Sequence, residues 1–205
     1  GITGEPLIAK KAFIRAVDIL KENGIRVGIY TNAVLIDEEI IQSLLKIDYI
    51  NVSIDAATPE TFANLKCNGN PRGIKAFNRL VDNIRNLAIA RERSKDSKLE
   101  INASFVLYPD NYREIYEAAK LLKSIGVRTL RMKQDISGKN LLSAEQNAEA
   151  EELLAKIDGI VDDKFKFVRI HPLNNPSEMK RTFNQCLITD LMAAIGSDGN
   201  IYPCN

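Results

Sequence analysis

An α/β fold built on a parallel sheet is predicted by three observations. Helix-period stretches alternate with short β-rich runs over most of the chain. The connections between them are short. The β-rich runs end in polar residues before each following helix. Repeated βα units of this length imply a parallel sheet covered by helices, arranged either as an open doubly wound sheet or as a (β/α) barrel. Both architectures bind ligands at the carboxyl ends of their strands, so the strand ends are the first place to look for a site.

The elements are justified in order. Gly1-Ile2-Thr3-Gly4-Glu5-Pro6-Leu7 reads as the tail of a strand and its turn, with Pro opening a helix. Ile8 to Glu22 carries Phe13, Ala16, Val17 and Leu20 on one face, and Asn23-Gly24 ends it. Ile25 to Thr31 is a strand. Asp37 caps a helix bearing Ile40, Ile41, Leu44 and Leu45. Tyr49 to Ile54 is a strand, and Thr58-Pro59-Glu60 starts a short helix. Ile74, Phe77, Leu80, Val81, Ile84 and Leu87 hold helical spacing in the longest helix. A charged loop leads to a strand at Leu99 to Leu107. Asn111-x-x-Glu114 reads as a capping box for a helix with Ile115, Ala118, Ala119 and Leu122, ended by Gly126. Val127 to Met132 is a strand, Ser143-x-x-Gln146 opens another helix, and Phe165 to Ile170 is a further strand. After His171-Pro172 the rhythm breaks. Two domains are expected: residues 1–172, and the start of a second at 173–205.

Composition narrows the function classes. The 205 residues are 45% hydrophobic and 27% charged, an ordinary globular balance. A net charge of +1 and 6% aromatics give no basic stripe for a nucleic acid. No apolar run is long enough for a membrane span. Three cysteines in a chain of this size favour a reducing cytoplasm. A single His, at position 171, excludes His-pair acid/base schemes, and no Walker loop, nucleophile elbow or dinucleotide Gly fingerprint is present.

The candidate site residues lie at successive strand ends: Gly4-Glu5, Thr31-Asn32, Ser53 with Asp55, Tyr108 with Asn111, and Lys133 with Gln134. Glu accepts from an ammonium group, Thr, Asn and Ser hold carboxylates or ribose hydroxyls, and Lys neutralises an anion. Taken one pair at a time, these residues also read as ordinary solvated helix caps.

Thr3-Gly4-Glu5-Pro6, Thr31-Asn32-Ala33 and Ser53-Ile54-Asp55-Ala56 together resemble the radical S-adenosylmethionine (SAM) superfamily, whose members read Gly-Gly-Glu-Pro, Thr-Asn-Gly and Ser-x-Asp-Gly in that order. Val106 to Asn111 followed by Glu114-Ile115 is similar to the fifth βα unit of that barrel. The resemblance implies a partial (β/α)6 TIM-like barrel that binds SAM and a [4Fe-4S] cluster. Gly4 and Glu5 would meet the methionyl ammonium. Ser53 with Asp55 would serve the ribose or carboxylate, Thr31 and Asn32 would support the site, and Lys66 would pair with the SAM carboxylate. Thr3 and Ala33 depart from the family pattern, and Ala at 33 implies that this turn need not adopt positive φ. The family's Cys-x3-Cys-x2-Cys loop is not in the sequence. The expectation is that it lies ahead of Gly1 in an N-terminally truncated barrel, and that the 205 residues alone do not cleave SAM. The rival is a degenerate relative without a cluster.

Near the C-terminus, Cys186 and Cys204 frame a predicted hairpin around Ser197-Asp198-Gly199-Asn200. Two buried free thiols are the plain reading, and a zinc site is another. The spacing Cys-x12-Gly-x4-Cys resembles the opening of the SPASM extension of radical SAM enzymes, which implies that both cysteines ligate an auxiliary iron-sulfur cluster. Cys67 reads as a structural thiol. The function implied is an oxidoreductase or maturase acting on a peptide or small-molecule substrate, fed by a reductant such as a flavodoxin or ferredoxin. The alternative is a non-catalytic βα-barrel relative that binds a ligand or partner.

Overall fold

The computed structural model describes residues 4–135, 137, 139–170, 184, 185, 187, 191–196 and 199–202. The chain divides into two compact units, Glu5–Leu173 and Gly1–Gly4 with Asn174–Asn205. In the larger unit, a 3-10 helix at Pro6–Ala9 leads into α1 (Lys10–Glu22), followed by β1 (Gly28–Thr31), α2 (Glu38–Leu44), β2 (Tyr49–Ser53), α3 (Pro59–Cys67) and α4 (Arg72–Arg93). Then come β3 (Glu100–Leu107), a 3-10 turn at Tyr112–Glu114, α5 (Ile115–Ser124), β4 (Thr129–Gln134), α6 (Ala144–Asp158) and β5 (Lys166–Arg169).

All five strands are parallel and lie in chain order, β1-β2-β3-β4-β5. A doubly wound sheet reverses its strand order at a switch point. Here no reversal occurs, which leaves the barrel alternative. The sheet is an open, partial (β/α) barrel, because β1 and β5 do not pair with each other.

Period-two alternation splits the sheet into two unlike faces. Ile50, Val52, Ile101, Ala103, Phe105, Leu107, Leu130 and Met132 point to one side and are essentially fully buried. They merge with Phe77, Leu80, Ile84 and Leu87 of α4 and with Ala118, Ala119 and Leu122 of α5 into one core. The other face is polar. The register places Asn51, Asn102 and Thr129 in one cross-strand row and Ser53, Ser104 and Arg131 in the next, with Lys133 beside Val106 beyond them. At the amino end of this face, Gly28 is required. A Cβ there would fall 2.1 Å from the Tyr49 ring, which lies over it.

Helix starts follow the sequence closely. Asp37 accepts from the Ile40 amide at 3.0 Å, Thr58 caps α3 ahead of Pro59, and Ser143 with Gln146 forms a complete capping box. The box expected at Asn111 and Glu114 does not form: neither side chain caps its own helix. Ala33 is a second correction. Its φ is +59, so the turn does take the left-handed conformation, despite a cost of roughly 1–2 kcal/mol for a residue with a Cβ. Hydrogen bonds hold it there. The Ala33 amide donates to Thr31 Oγ1 at 3.0 Å, and the Asn83 amide group of α4 donates to the Ala33 carbonyl at 2.9 Å.

In the smaller unit, Ala194–Ile195 (β6) and Ile201–Tyr202 (β7) pair antiparallel, as the hairpin pattern predicts. Cys186, Cys204, Thr3 and His171 lie outside the described residues.

Candidate functional site

The first turn is organised by Glu5. One carboxylate oxygen accepts from Thr31 Oγ1 at 2.6 Å and from the Leu7 amide at 3.1 Å. The other accepts from the Asn32 amide at 2.8 Å. Thr31, 5% exposed, thus joins the Glu5 carboxylate to the β1 turn, and Asn32 closes the turn by accepting from the Val34 amide at 3.0 Å. A carboxylate has about four lone-pair positions. Three are occupied here, and one remains on the oxygen that faces Asn32. Gly4, ahead of it, has φ +99, which a residue with a Cβ adopts at a cost.

The second turn is organised by acids from two directions. Asp55, 1% exposed, accepts from the Val106 amide of β3 at 2.7 Å, and its other oxygen forms an ion pair with the Lys66 ammonium of α3. A buried carboxylate in this position needs both partners to offset its desolvation. Asn111 donates to the Asp55 carbonyl at 2.8 Å and to the Val106 carbonyl at 2.9 Å, and accepts from the Tyr108 amide at 2.7 Å. Glu114 accepts from the Ala57 amide (2.6 Å), the Thr58 amide (3.2 Å), Thr58 Oγ1 (2.8 Å) and Thr61 Oγ1 (2.6 Å). Its negative charge sits at the amino end of α3, where the helix dipole favours it. The two residues read as a capping box instead fasten the β2–α3 turn from more than fifty residues away. Burial, followed by the nearby charges of Asp55 and Asp135, pushes the Tyr108 phenol above its usual range.

These turns open onto one cavity of about 460 Å3 at the carboxyl ends of β1 and β2. Its polar lining is Glu5, Asn32, Ser53 and Lys66, and its apolar lining includes Ile8, Val34, Leu35 and Phe62. The volume lies within the range of small-ligand sites, and the mixture suits an amphipathic ligand. The sequence-predicted residues therefore separate into two groups. Glu5, Asn32, Ser53 and Lys66 face this space, whereas Thr31 and Asp55 stand behind it and hold the others in place. Strand alternation also separates Lys133 from Gln134. Lys133 lies on the polar sheet face with Arg131, and Gln134 points to the other side, 6% exposed.

The family description "Radical SAM superfamily" matches residues 2–122, more than half of the sequence. The chain belongs to the radical SAM superfamily. It is 34% identical over 84 residues to an uncharacterized protein of Methanocaldococcus jannaschii, a match covering 40% of this chain and 27% of that protein. Its fold resembles SuiB of Streptococcus suis bound to S-adenosylmethionine, at a TM-score of 0.64 and 14% identity, over 93% of this chain and 45% of SuiB. SuiB bound to its precursor peptide SuiA gives a TM-score of 0.62. A domain of pyruvate-formate lyase-activating enzyme from Bacteroides vulgatus gives 0.56 at 14% identity, over 83% of this chain and 96% of that domain. The chain thus spans less than half the length of SuiB and about a quarter of the archaeal relative. Among the described residues no group of three His, Cys, Asp or Glu side chains is placed to hold a metal. The cysteines of the chain, at 67, 186 and 204, do not have the spacing of the family's cluster loop, so its ligands are not among these residues.

Sequence reasoning picked out Arg131 and Lys133 by position as candidate substrate contacts but missed Asn51, Asn102 and Ser104 on the same polar sheet face. The signal was present as a repeat: Ile50-Asn51-Val52-Ser53 in β2 and Ile101-Asn102-Ala103-Ser104 in β3 carry the same alternation and stand in register.

Proposed function

We propose that this chain forms the SAM-gripping part of a radical SAM enzyme that acts on a peptide or small-molecule substrate. The observation that carries the reading is the convergence of Glu5, Asn32, Ser53 and Lys66 on one cavity. The remaining lone-pair position of Glu5 would accept from the methionyl ammonium. The Ser53 hydroxyl and the Asn32 side-chain amide would meet the ribose or the carboxylate. The Lys66 ammonium, ion-paired with Asp55, would also meet the SAM carboxylate. Thr31, Asp55 and Glu114 are positioning residues in this scheme, and Phe62 with Val34 and Leu35 excludes water from the apolar side.

SAM together with a reduced iron-sulfur cluster would supply the radical chemistry for hydrogen-atom abstraction from substrate. The protein's part is to bind and orient. Cys186 and Cys204 would ligate an auxiliary cluster, and a flavodoxin or ferredoxin would deliver electrons. SuiB, bound to a precursor peptide in one of its structures, supports a peptide as the substrate class.

The test is SAM cleavage by the full-length natural protein, purified anaerobically, reconstituted with iron and sulfide, and reduced with dithionite. Release of 5′-deoxyadenosine and methionine is expected. A protein that binds SAM but releases neither product would be a binding relative, and the enzyme reading would fall.

A further inference from the structure

Three of the acidic side chains at the carboxyl end of the sheet are already engaged: Glu5 by backbone amides and Thr31, Asp55 by Lys66 and Val106, and Glu114 by the start of α3. Asp135, just past β4, is held by the Ser137 amide and hydroxyl and by Asn140. Burdened with no such partner are two cations on the polar face of β4. Arg131 and Lys133 are half-buried, and neither has a hydrogen bond or an ion pair among the described residues. Half-burial without a counter-charge costs solvation that a ligand anion would restore.

A second observation comes from the neighbouring strands. Asn51 is 2% and Asn102 is 4% exposed, and the amide oxygen of each is buried with no hydrogen-bond partner. Asn51 uses its amide nitrogen on Ser104 Oγ at 3.2 Å, and Ser104 stands directly opposite Arg131 in the register. Unpaired buried carbonyl oxygens require donors. The same small area therefore offers two cations seeking an anion and two acceptors seeking N–H groups.

We propose that this face is a substrate subsite for an acidic residue within a peptide. The proposal deepens the function above and rests on it. The side-chain carboxylate would lie against the Arg131 guanidinium, whose planar fork matches it, with Lys133 as a second positive charge. The peptide's own backbone N–H groups would donate to Asn51 and Asn102. Asn102 is diagonal to Arg131 on the adjacent strand, roughly 7–8 Å away, a separation that one residue's carboxylate and its backbone amide can span, and Asn51 lies one strand further on, within reach of the next residue of an extended peptide. A bare phosphate satisfies the cations but offers the amide oxygens no N–H donor.

The test uses the full-length natural protein and three probes: N-acetyl-glutamate N-methylamide, its glutamine counterpart, and inorganic phosphate. Binding is followed by NMR through the Asn side-chain amide signals and the Arg131 Nε–H signal, assigned with Arg131→Lys. The blocked glutamate is expected to saturate, and the blocked glutamine to bind at least about tenfold more weakly. Arg131→Met and Lys133→Met are expected each to weaken the glutamate probe while leaving the thermal midpoint unchanged. Equal affinity for the glutamine probe, tighter binding of phosphate, no saturation, or unaltered affinity in Arg131→Met would each overturn the subsite. SAM affinity measured on the wild-type samples distinguishes the two readings: loss of SAM binding alone sinks the site at Glu5 and Ser53, and loss of glutamate recognition alone sinks this one.

Discussion

The strand-end turns and the polar face of the sheet stand a few residues apart and use their polar groups in opposite ways. At the turns, most bonding capacity is used: Glu5, Asp55 and Glu114 accept from backbone and side-chain donors, and Asn111 donates to the Asp55 and Val106 carbonyls while accepting from the Tyr108 amide. On the sheet face, the Asn51 and Asn102 oxygens, Arg131 and Lys133 have no hydrogen-bond or ion-pair partner among the described residues. The difference separates scaffold from recognition. Saturated groups fix a geometry, whereas unsatisfied ones gain most from a ligand.

The largest effect that would sharpen this contrast is expected at Asp55. Asp55→Ala leaves the Val106 amide and Lys66 without their acceptor and should lower stability by about 2–4 kcal/mol, read by denaturant unfolding; a loss below ~1 kcal/mol would mean that the pair is not structural. Glu114→Ala comes next. It removes four hydrogen bonds at a partly exposed helix start and should cost about 1–2 kcal/mol, with the local loss visible as faster amide exchange at Ala57 and Thr58.

A smaller effect is expected in acid, away from the site. Arg113, then Tyr112, holds the Glu149 carboxyl down at about 2. Lys123, then the Lys164 amide, does the same for Asp162, also to about 2. Both carboxyls have folded-state values below their unfolded ones, so their contribution is present above the ordinary carboxylate range and is lost as pH falls from about 4 toward 2. Glu149→Gln with Asp162→Asn should flatten the stability profile in that window by lowering stability at neutral pH, with the variant and the wild type converging as pH approaches 2. An unaltered acid limb would show that these pairs do not couple to folding. The smallest effect belongs to Arg131. Having no partner to lose, Arg131→Met should change stability by less than about 0.5 kcal/mol, and a large loss would place Arg131 with the scaffold.

The architecture was legible because it rests on periodicity. The helical spacing of Phe77, Leu80, Ile84 and Leu87 and the βα rhythm needed no tertiary information. Ser143 and Gln146 capped their own helix as their spacing predicted. Asn111 and Glu114 carried a similar spacing, but better partners were available across the fold, which no local pattern encodes. Ala33 misled for a related reason: its positive φ is imposed by Thr31 and Asn83, not by its own preference. Among the site residues, Glu5, Asn32 and Ser53 were found through their positions at strand ends, and Lys66, in α3, through the family resemblance. Asn51 and Asn102 were passed over because mid-strand polar residues are expected to find partners, and only the structure shows that theirs are missing.

The most direct test of the SAM site is the affinity of the full-length protein for SAM, measured by equilibrium dialysis on wild type, Ser53→Ala and Lys66→Met. Each substitution is expected to weaken binding by roughly 3–10-fold, as for the loss of one or two hydrogen bonds to a bound ligand. Unchanged affinity in both variants would place SAM elsewhere and contradict the site described here.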